Sequence, residues 1–381
     1  MTTGPGHVRS RKRASDLGIS IGSLPRGPLN AITDVAGVRV GHVTLIHGDG
    51  PLVMGDGPVR TGVTVIIPHD GNPWDLGVFA GSHRLNGNGE LTGLEWIRES
   101  GMLSSPIGLT NTHSLGVVRD ALIAEEVRRR PTGEYFFGLP VVGETFDGLL
   151  NDVSGFHVTR EHVFEAVAAA TGGPVAEGNV GGGTGMVCHG FKGGIGTSSR
   201  MVQVAASSFV VGVLVQANHG RRSRLRVNGL PVGERIPESL VPAPKRPEPR
   251  MGRVDLPPGS GSIIGIVATD APLSALQCQR LAQRAALGVG RTGGAGEHTS
   301  GDLFLAFATP NRIPLRGDLA AVRGIMETLG DGAINDLFYA VIDATEEAIL
   351  NALLAAETMV GRDGVTAHGL GAERLMAALR N

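Results

Sequence analysis

Pro257-Pro258-Gly259-Ser260-Gly261-Ser262-Ile263-Ile264-Gly265-Ile266-Val267-Ala268 joins a proline-laden connector to an unbroken apolar run. Seven prolines fall in the 22 residues from Pro237 to Pro258, a density that excludes helix and ladder pairing and leaves the backbone extended and accessible. Ser262 then heads a segment with the composition of a buried strand. Two readings fit this junction. In one, it is a Gly/Ser turn entering a core strand, the commoner use of such residues. In the other, the Gly261–Ser262 bond is cut, freeing an α-amine of reference pKa ~7.7–8.0 beside a hydroxyl. One residue then supplies both base and nucleophile, as in an N-terminal-nucleophile hydrolase.

Around that junction, 381 residues allow one large domain or two ordinary ones, and no 20–50-residue repeat is visible. Glycine is abundant, 59 residues or about twice the usual ~7%, and clusters at 181–183, 193–194 and 293–294. Such clusters suit tight turns and backbone packed against backbone or ligand. With 41% hydrophobic and 18% charged residues, general disorder is excluded and a well-buried enzyme is favoured. A net charge of −2 gives no global reason to bind nucleic acid or an anionic membrane.

The basic tail Arg9, Arg11, Lys12 and Arg13 is followed by no apolar segment, so it does not read as a secretory signal. No apolar run reaches the ~18 residues of a membrane span. Cysteine occurs only at 188 and 278, which excludes a disulfide framework and fits a reduced cytoplasmic setting. Neither H-E-x-x-H nor C-x-x-C is present, so nothing in the sequence compels a metal.

Periodicity places strands and turns over 31–46, a buried strand at 62–67, and helices at 114–130 and 159–170. Residues 201–206 and 209–217 read as a strand pair ending at Asn218-His219-Gly220. Beyond the connector come a strand at 262–268, a helix opened by Asp270-Ala-Pro and running to about Leu287, and a strand at 302–308. A long helix at 335–356 and a short one at 372–379 close the chain. Strands gathered apart from helices favour an α+β layered fold over a doubly wound one, a helix-sheet-sheet-helix sandwich being one such arrangement.

Several motifs carry chemistry in one reading and only structure in the other. Gly288-Val-Gly-Arg-Thr-Gly293 matches G-x-G-x-x-G but follows a helix where a dinucleotide site needs a strand, so it reads as a helix C-cap and loop. Gly178-Asn-Val-Gly-Gly-Gly-Thr-Gly185 lacks a P-loop's Gly-Lys-Ser/Thr ending, leaving close backbone packing as the simpler explanation. Ser300 and Asp302 flank Gly301 at a strand start and should share a face, as a hydroxyl–carboxylate relay or a polar turn. Asn218 is either an oxyanion donor or a structural turn residue. Glu144, after an apolar stretch, is either a partner for a substrate ammonium or a solvated loop acid.

Taken together, Leu29-Asn-Ala-Ile-Thr-Asp-Val-Ala-Gly-Val-Arg-Val-Gly-His42, Asn86-Gly-Asn-Gly-Glu-Leu-Thr-Gly93, Gln216-Ala-Asn-His-Gly220, Gly261-Ser-Ile-Ile264 with Ala268-Thr-Asp-Ala-Pro-Leu273, and Ser300-Gly-Asp302 closely resemble the DmpA family of self-processing aminopeptidases. The resemblance runs from about Arg13 to the C-terminal helix. It implies a single αββα four-layer sandwich related to that of ornithine acetyltransferase, cut before Ser262 into chains 1–261 and 262–381 that assemble as a homotetramer of cleaved pairs. It further implies Ser262 as nucleophile, its α-amine as base, Ser300 and Asp302 as tuning groups, Asn218 in the oxyanion hole and Glu144 on the substrate ammonium.

No cofactor is implied. The substrates implied are short peptides, amino acid amides or esters, with neither nucleic acid nor membrane as a partner. Phe146 stands where the nearest L-aminopeptidases are expected to carry tyrosine, which removes a hydroxyl from the substrate site. Within the family, β-peptidyl aminopeptidases and related amide hydrolases are the alternative. An acyltransferase of the same architecture would use a threonine nucleophile, and a nucleotide-binding protein would rest on the glycine-rich loops alone.

Overall fold

The computed structural model describes residues 12–245, 261–315 and 325–380. Most of the Pro237–Pro258 connector, from residue 246 onward, therefore lies outside the described residues. The first half contributes strands β1 (Arg39–His47), β2 (Val59–Ile67), β3 (Leu76–Gly87), β4 (Met102–Leu103), β5 (Ile107–Asn111) and β6 (Val141–Thr145). Helices α1 (Leu94–Ser100), α2 (Leu115–Val127) and α3 (Arg160–Ala168) are interspersed among and after them. Two short strands follow, β7 (Val187–Cys188) and β8 (Phe191–Lys192), then the long pair β9 (Gly194–Val204) and β10 (Ser207–Asn218) and the single turn α4 (Val232–Arg235). The remainder is β11 (Ser262–Thr269), α5 (Ala275–Arg291), β12 (Gly301–Pro314), α6 (Ile334–Ala355), the small hairpin β13 (Met359–Val360) and β14 (Thr366–Ala367), and α7 (Ala372–Arg380).

Besides the two-stranded pairs β7-β8 and β13-β14, the strands form two larger sheets, one ordered β1-β2-β5-β6 and the other β4-β3-β12-β11-β10-β9. The two-residue period of the strands decides how they stack. In β11, Ile264, Ile266 and Ala268 enter an apolar cluster with Val40, Ile66, Leu109 and Val141 of the smaller sheet. Ile263 and Val267 point the other way, among Leu281, Ala285, Val341 and Ile349 of α5 and α6. The outer face of the smaller sheet, with Val63, Val65 and Val142, is covered by Val118 and Leu122 of α2 and Val163 and Ala166 of α3. The layers are therefore helix, sheet, sheet, helix: an αββα sandwich.

Every residue of β11 is buried, which explains why it is apolar without alternation. Its partner β12 runs parallel to it, joined through α5, while β10 on the other side is antiparallel. The start of β11, the start of β12 and the end of β10 thus lie at one end of the sheet. Ser262, two residues before Ile264, belongs to the face that looks at the smaller sheet.

Two expectations are corrected. Asp270-Ala-Pro does not open α5: Asp270 Oδ1 accepts the Val210 N–H at 2.6 Å and closes the strand end instead. The helix begins at Ala275, where Ser274 and Gln277 form a capping box. Residues 31–46 are a single 3₁₀ turn at Ile32–Asp34 followed by the one strand β1, because Asp34 caps the Leu29 and Ala31 amides. The Gly178–Gly185 stretch packs backbone to backbone as expected. A Cβ on Gly183 would lie 2.3 Å from the Ile195 amide nitrogen.

Candidate active site

At the shared strand end, Asn218 of β10 stands directly opposite Ser262 of β11, and Asp302 of β12 pairs with Ile263. Ser262 is 6% exposed, and its Oγ accepts the Gly301 N–H at 3.1 Å. Asn218 is held on both sides of its amide: Oδ1 accepts the Val187 N–H at 2.7 Å, and Nδ2 donates to the Phe146 carbonyl at 3.0 Å. Those two bonds use Oδ1 and one of the two Nδ2 hydrogens. Phe146 takes part through its backbone, while its ring lies against Gly148.

Gly261 enters this site by close approach. A Cβ there would stand 2.0 Å from the Asn218 carbonyl oxygen, so only glycine fits. Ser300 and Asp302 share a face: the Ser300 hydroxyl donates to Asp302 Oδ2 at 2.7 Å. Burial pushes the Asp302 carboxyl up to about 6, the Ser300 hydrogen bond opposing it only in part. Its Oδ1 is also buried, with no hydrogen-bond partner among the described residues.

Glu144 is the penultimate residue of β6 on the facing sheet and is almost wholly buried. Oε1 accepts the Glu90 N–H at 3.0 Å, and Oε2 accepts the Thr112 hydroxyl. Desolvation raises its pKa, with those hydrogen bonds acting against the rise. Two glycines bring this carboxylate toward the nucleophile. A Cβ on Gly89 would lie 3.2 Å from Glu144 Oε1 and 3.0 Å from Gly301 Cα. The residues singled out in the sequence, Glu144, Phe146, Asn218, Gly261, Ser262, Ser300 and Asp302, therefore gather at one end of the sandwich, with Ser262 on the face toward the smaller sheet and Asp302, level with Ile263, on the opposite face of its own sheet.

Two participants were not singled out. Asn86 Nδ2 donates to Ser300 Oγ at 3.2 Å and also to the Glu297 carbonyl, so it holds the turn that presents Ser300. It lies inside the Asn86–Gly93 stretch of the resemblance, which gave it no role. Thr112 has no signal in the sequence, since its meeting with Glu144 depends on β5 and β6 lying side by side in parallel.

With this geometry in view, residues 30–367 of the chain match the model of peptidase family S58. The chain belongs to peptidase family S58. Among its relatives, the β-peptidyl aminopeptidase BapA of Sphingosinicella microcystinivorans is 48% identical over 371 residues, covering 97% of this chain and 92% of that protein.

A β-aminopeptidase from Burkholderia sp. superposes with a TM-score of 0.88 at 51% identity, covering 97% of this chain and 98% of that one. The L-aminopeptidase D-Ala-esterase/amidase of Ochrobactrum anthropi, described as a variant of the Ntn hydrolase fold, superposes with a TM-score of 0.85 at 42% identity, with 97% and 98% covered. As an S58 member the chain is a hydrolase of peptide bonds on an Ntn-type sandwich. The dinucleotide reading falls away, because Gly288–Arg291 is the last turn of α5 rather than a strand-to-helix loop.

Proposed function

We propose that the chain cuts its own Gly261–Ser262 bond and then acts as an aminopeptidase and amidase through an acyl-enzyme on Ser262. The observation that carries this is the convergence of Asn218, Ser262 and the Ser300–Asp302 pair at one strand end, opposite the buried Glu144. In the first step Ser262 Oγ attacks the Gly261 carbonyl, the C–N bond breaks, and the resulting ester is hydrolysed. That leaves Gly261 with a carboxylate and Ser262 with a free α-amine.

In turnover, the α-amine takes the Ser262 hydroxyl proton as Oγ attacks the substrate carbonyl. Asn218 Nδ2 donates to the oxyanion, an interaction typically worth ~10²–10³ in rate. The proton passes to the departing amine, and water resolves the ester with the same α-amine as base. Asp302, joined to Ser300, supplies a carboxylate beside this amine and stabilises its protonated form. Glu144 receives the substrate's free ammonium, so recognition starts at the N-terminus and cleavage is that of an exopeptidase.

N-terminal β-residues are a second substrate class, supported by the likeness to the two β-peptide-directed relatives. A panel of L-, D- and β-amino acid p-nitroanilides, each with an N-acetylated counterpart, tests the reading. Release from the free amines and none from the acetylated set is expected. Equal turnover of both sets would contradict the role of Glu144. A homotetramer of cleaved pairs is the assembly that the family likeness suggests, and sedimentation of the cut protein tests it.

A further inference from the structure

Behind the nucleophile, on the helix side of Asn218, lies a second cluster that the peptidase chemistry does not use. Cys188, His189 and His219 are all buried, and each offers a ligand atom within 4.8 Å of the other two. Their meeting has a definite backbone cause. Residues 188–191 form a tight hairpin between β7 and β8 in which His189 has φ 49° and Gly190 φ 70°, the signature of a type I′ turn. Neighbours along a strand point to opposite faces, but the left-handed φ at His189 swings its imidazole back to the side of Cys188. The His189 N–H donates to the His219 carbonyl at 2.7 Å, which fastens the hairpin to the end of β10. Gly220 makes room, since a Cβ there would stand 2.4 Å from the His189 ring.

We infer that Cys188, His189 and His219 form a binding site for one thiophilic d¹⁰ cation, Zn²⁺ or Cu(I). Three observations support it. His189 Nδ1 lies 3.0 Å from the Arg221 carbonyl, which only accepts, so Nδ1 carries the proton and Nε2 presents a lone pair. That Nε2 is buried with no hydrogen-bond partner among the described residues. A ring nitrogen oriented by a carbonyl on its other side is the usual arrangement of a metal-bound histidine.

Cys188 Sγ is 3.8 Å from His219 Nδ1. Metal–sulfur and metal–nitrogen bonds of ~2.3 and ~2.0–2.1 Å, opened to 120°, put the two ligand atoms ~3.8 Å apart. The pair is therefore already spaced for a trigonal site. Binding releases the Cys188 thiol proton to solvent as the metal–thiolate bond forms.

The charged groups nearest the cluster do not occupy it. Arg222 lies over the Phe191 ring and donates to the carbonyls of His189, Gly190, Ile236 and Val241. Lys192 donates to the carbonyls of Gly183, Met186 and Gly193, and burial lowers its pKa to about 7. With no carboxylate among the donors, a soft cation is preferred over Mg²⁺ or Ca²⁺.

The test is to express the full chain with Zn²⁺, Co²⁺ or Cu⁺ supplied, and separately to load the purified, chelator-washed protein, then measure bound metal and the visible and near-ultraviolet spectrum. One equivalent per chain is expected, with a thiolate-to-cobalt charge-transfer band in the Co²⁺ form. The band should survive Cys278→Ser and vanish in Cys188→Ser, with at least a hundredfold loss of affinity in that variant and in His189→Gln. Whichever of Zn²⁺ and Cu⁺ binds more tightly identifies the cation. No metal by either route, or a charge-transfer band absent from the wild type or retained in Cys188→Ser, would overturn the assignment. Because the band is read in the wild type and in Cys278→Ser, the result stands even if Cys188→Ser fails to fold.

Discussion

Ser262, Asp302 and Glu144 each carry a separable consequence. Ser262→Ala should abolish self-cutting and lower hydrolysis by at least ~10³-fold, since loss of a nucleophile removes the covalent route; a denaturing gel and a p-nitroanilide assay read the two effects. Asp302 bears on stability in the uncut chain. Its carboxyl, about 6 when folded against an ordinary 3.8, keeps its proton in the folded state over a range where the unfolded chain releases it. The contribution is therefore fully present below pH ~4 and is lost as pH rises through ~6, by on the order of 2–3 kcal/mol. In a Ser262→Ala background, Asp302→Asn should flatten the fall in melting temperature between pH 4 and 7. An unchanged slope would show that another group sets it.

For Glu144, raised by burial, protonation begins above the ordinary carboxylate range, so KM for free-amine substrates should climb as pH falls through that raised pKa. Glu144→Gln should raise KM ~30–100-fold and remove the pH dependence, consistent with a charge-assisted hydrogen bond of ~2–3 kcal/mol. Which of these residues could be read in the sequence follows from the distance over which they act. Ser300 and Asp302 share a face through the two-residue period of a strand, a local property. Asn86 and Thr112 meet Ser300 and Glu144 only through tertiary crossings, 214 and 32 residues apart in the chain, and no local pattern encodes those meetings.

Strand β11 and its entry form the element on which the proposed self-cutting depends. The strand's apolar residues fix where Ser262 sits, and Gly261 lies so close to Asn218 that no side chain is accommodated. Gly261→Ala should therefore slow self-cutting severely while leaving the hydroxyl in place, and a time course of fragment appearance checks it. Cutting at the wild-type rate would mean that the strand entry is reshaped before the bond breaks. The strand itself was legible because burial on both faces demands an uninterrupted apolar run. The start of α5 was not: Asp270 and Ser274 are both good caps, and what separates them is the Val210 amide that Asp270 satisfies across β10. A choice between two local signals was made by a tertiary contact.

At the scale of the whole molecule, the sheet order would hold the two fragments of the proposed cut together. Strands β11 and β12, which belong to the proposed small fragment, lie between β3 and β10 of the large one. Ile263, Ile264, Ile266 and Val267 are fully buried there, each worth ~1.5–3 kcal/mol of transfer free energy. Breaking one bond at the strand's entry leaves that burial intact. The two fragments should co-elute in native gel filtration and unfold in a single transition; separation without denaturant would contradict this arrangement. An α+β layered fold was legible from the pattern of strands and helices along the sequence and the αββα sandwich from the family resemblance, whereas the assignment of each strand to one of two sheets depends on pairings that no local signal carries.

Intact mass spectrometry of the purified wild-type chain, run under denaturing conditions beside Ser262→Ala, addresses the Gly261–Ser262 bond itself. Two species are expected, residues 1–261 and residues 262–381 with a serine N-terminus, alongside a single uncut species for the variant. A wild type that stays whole, or one cut at another bond such as before Ser260, would contradict the assignment of Ser262 as the nucleophile.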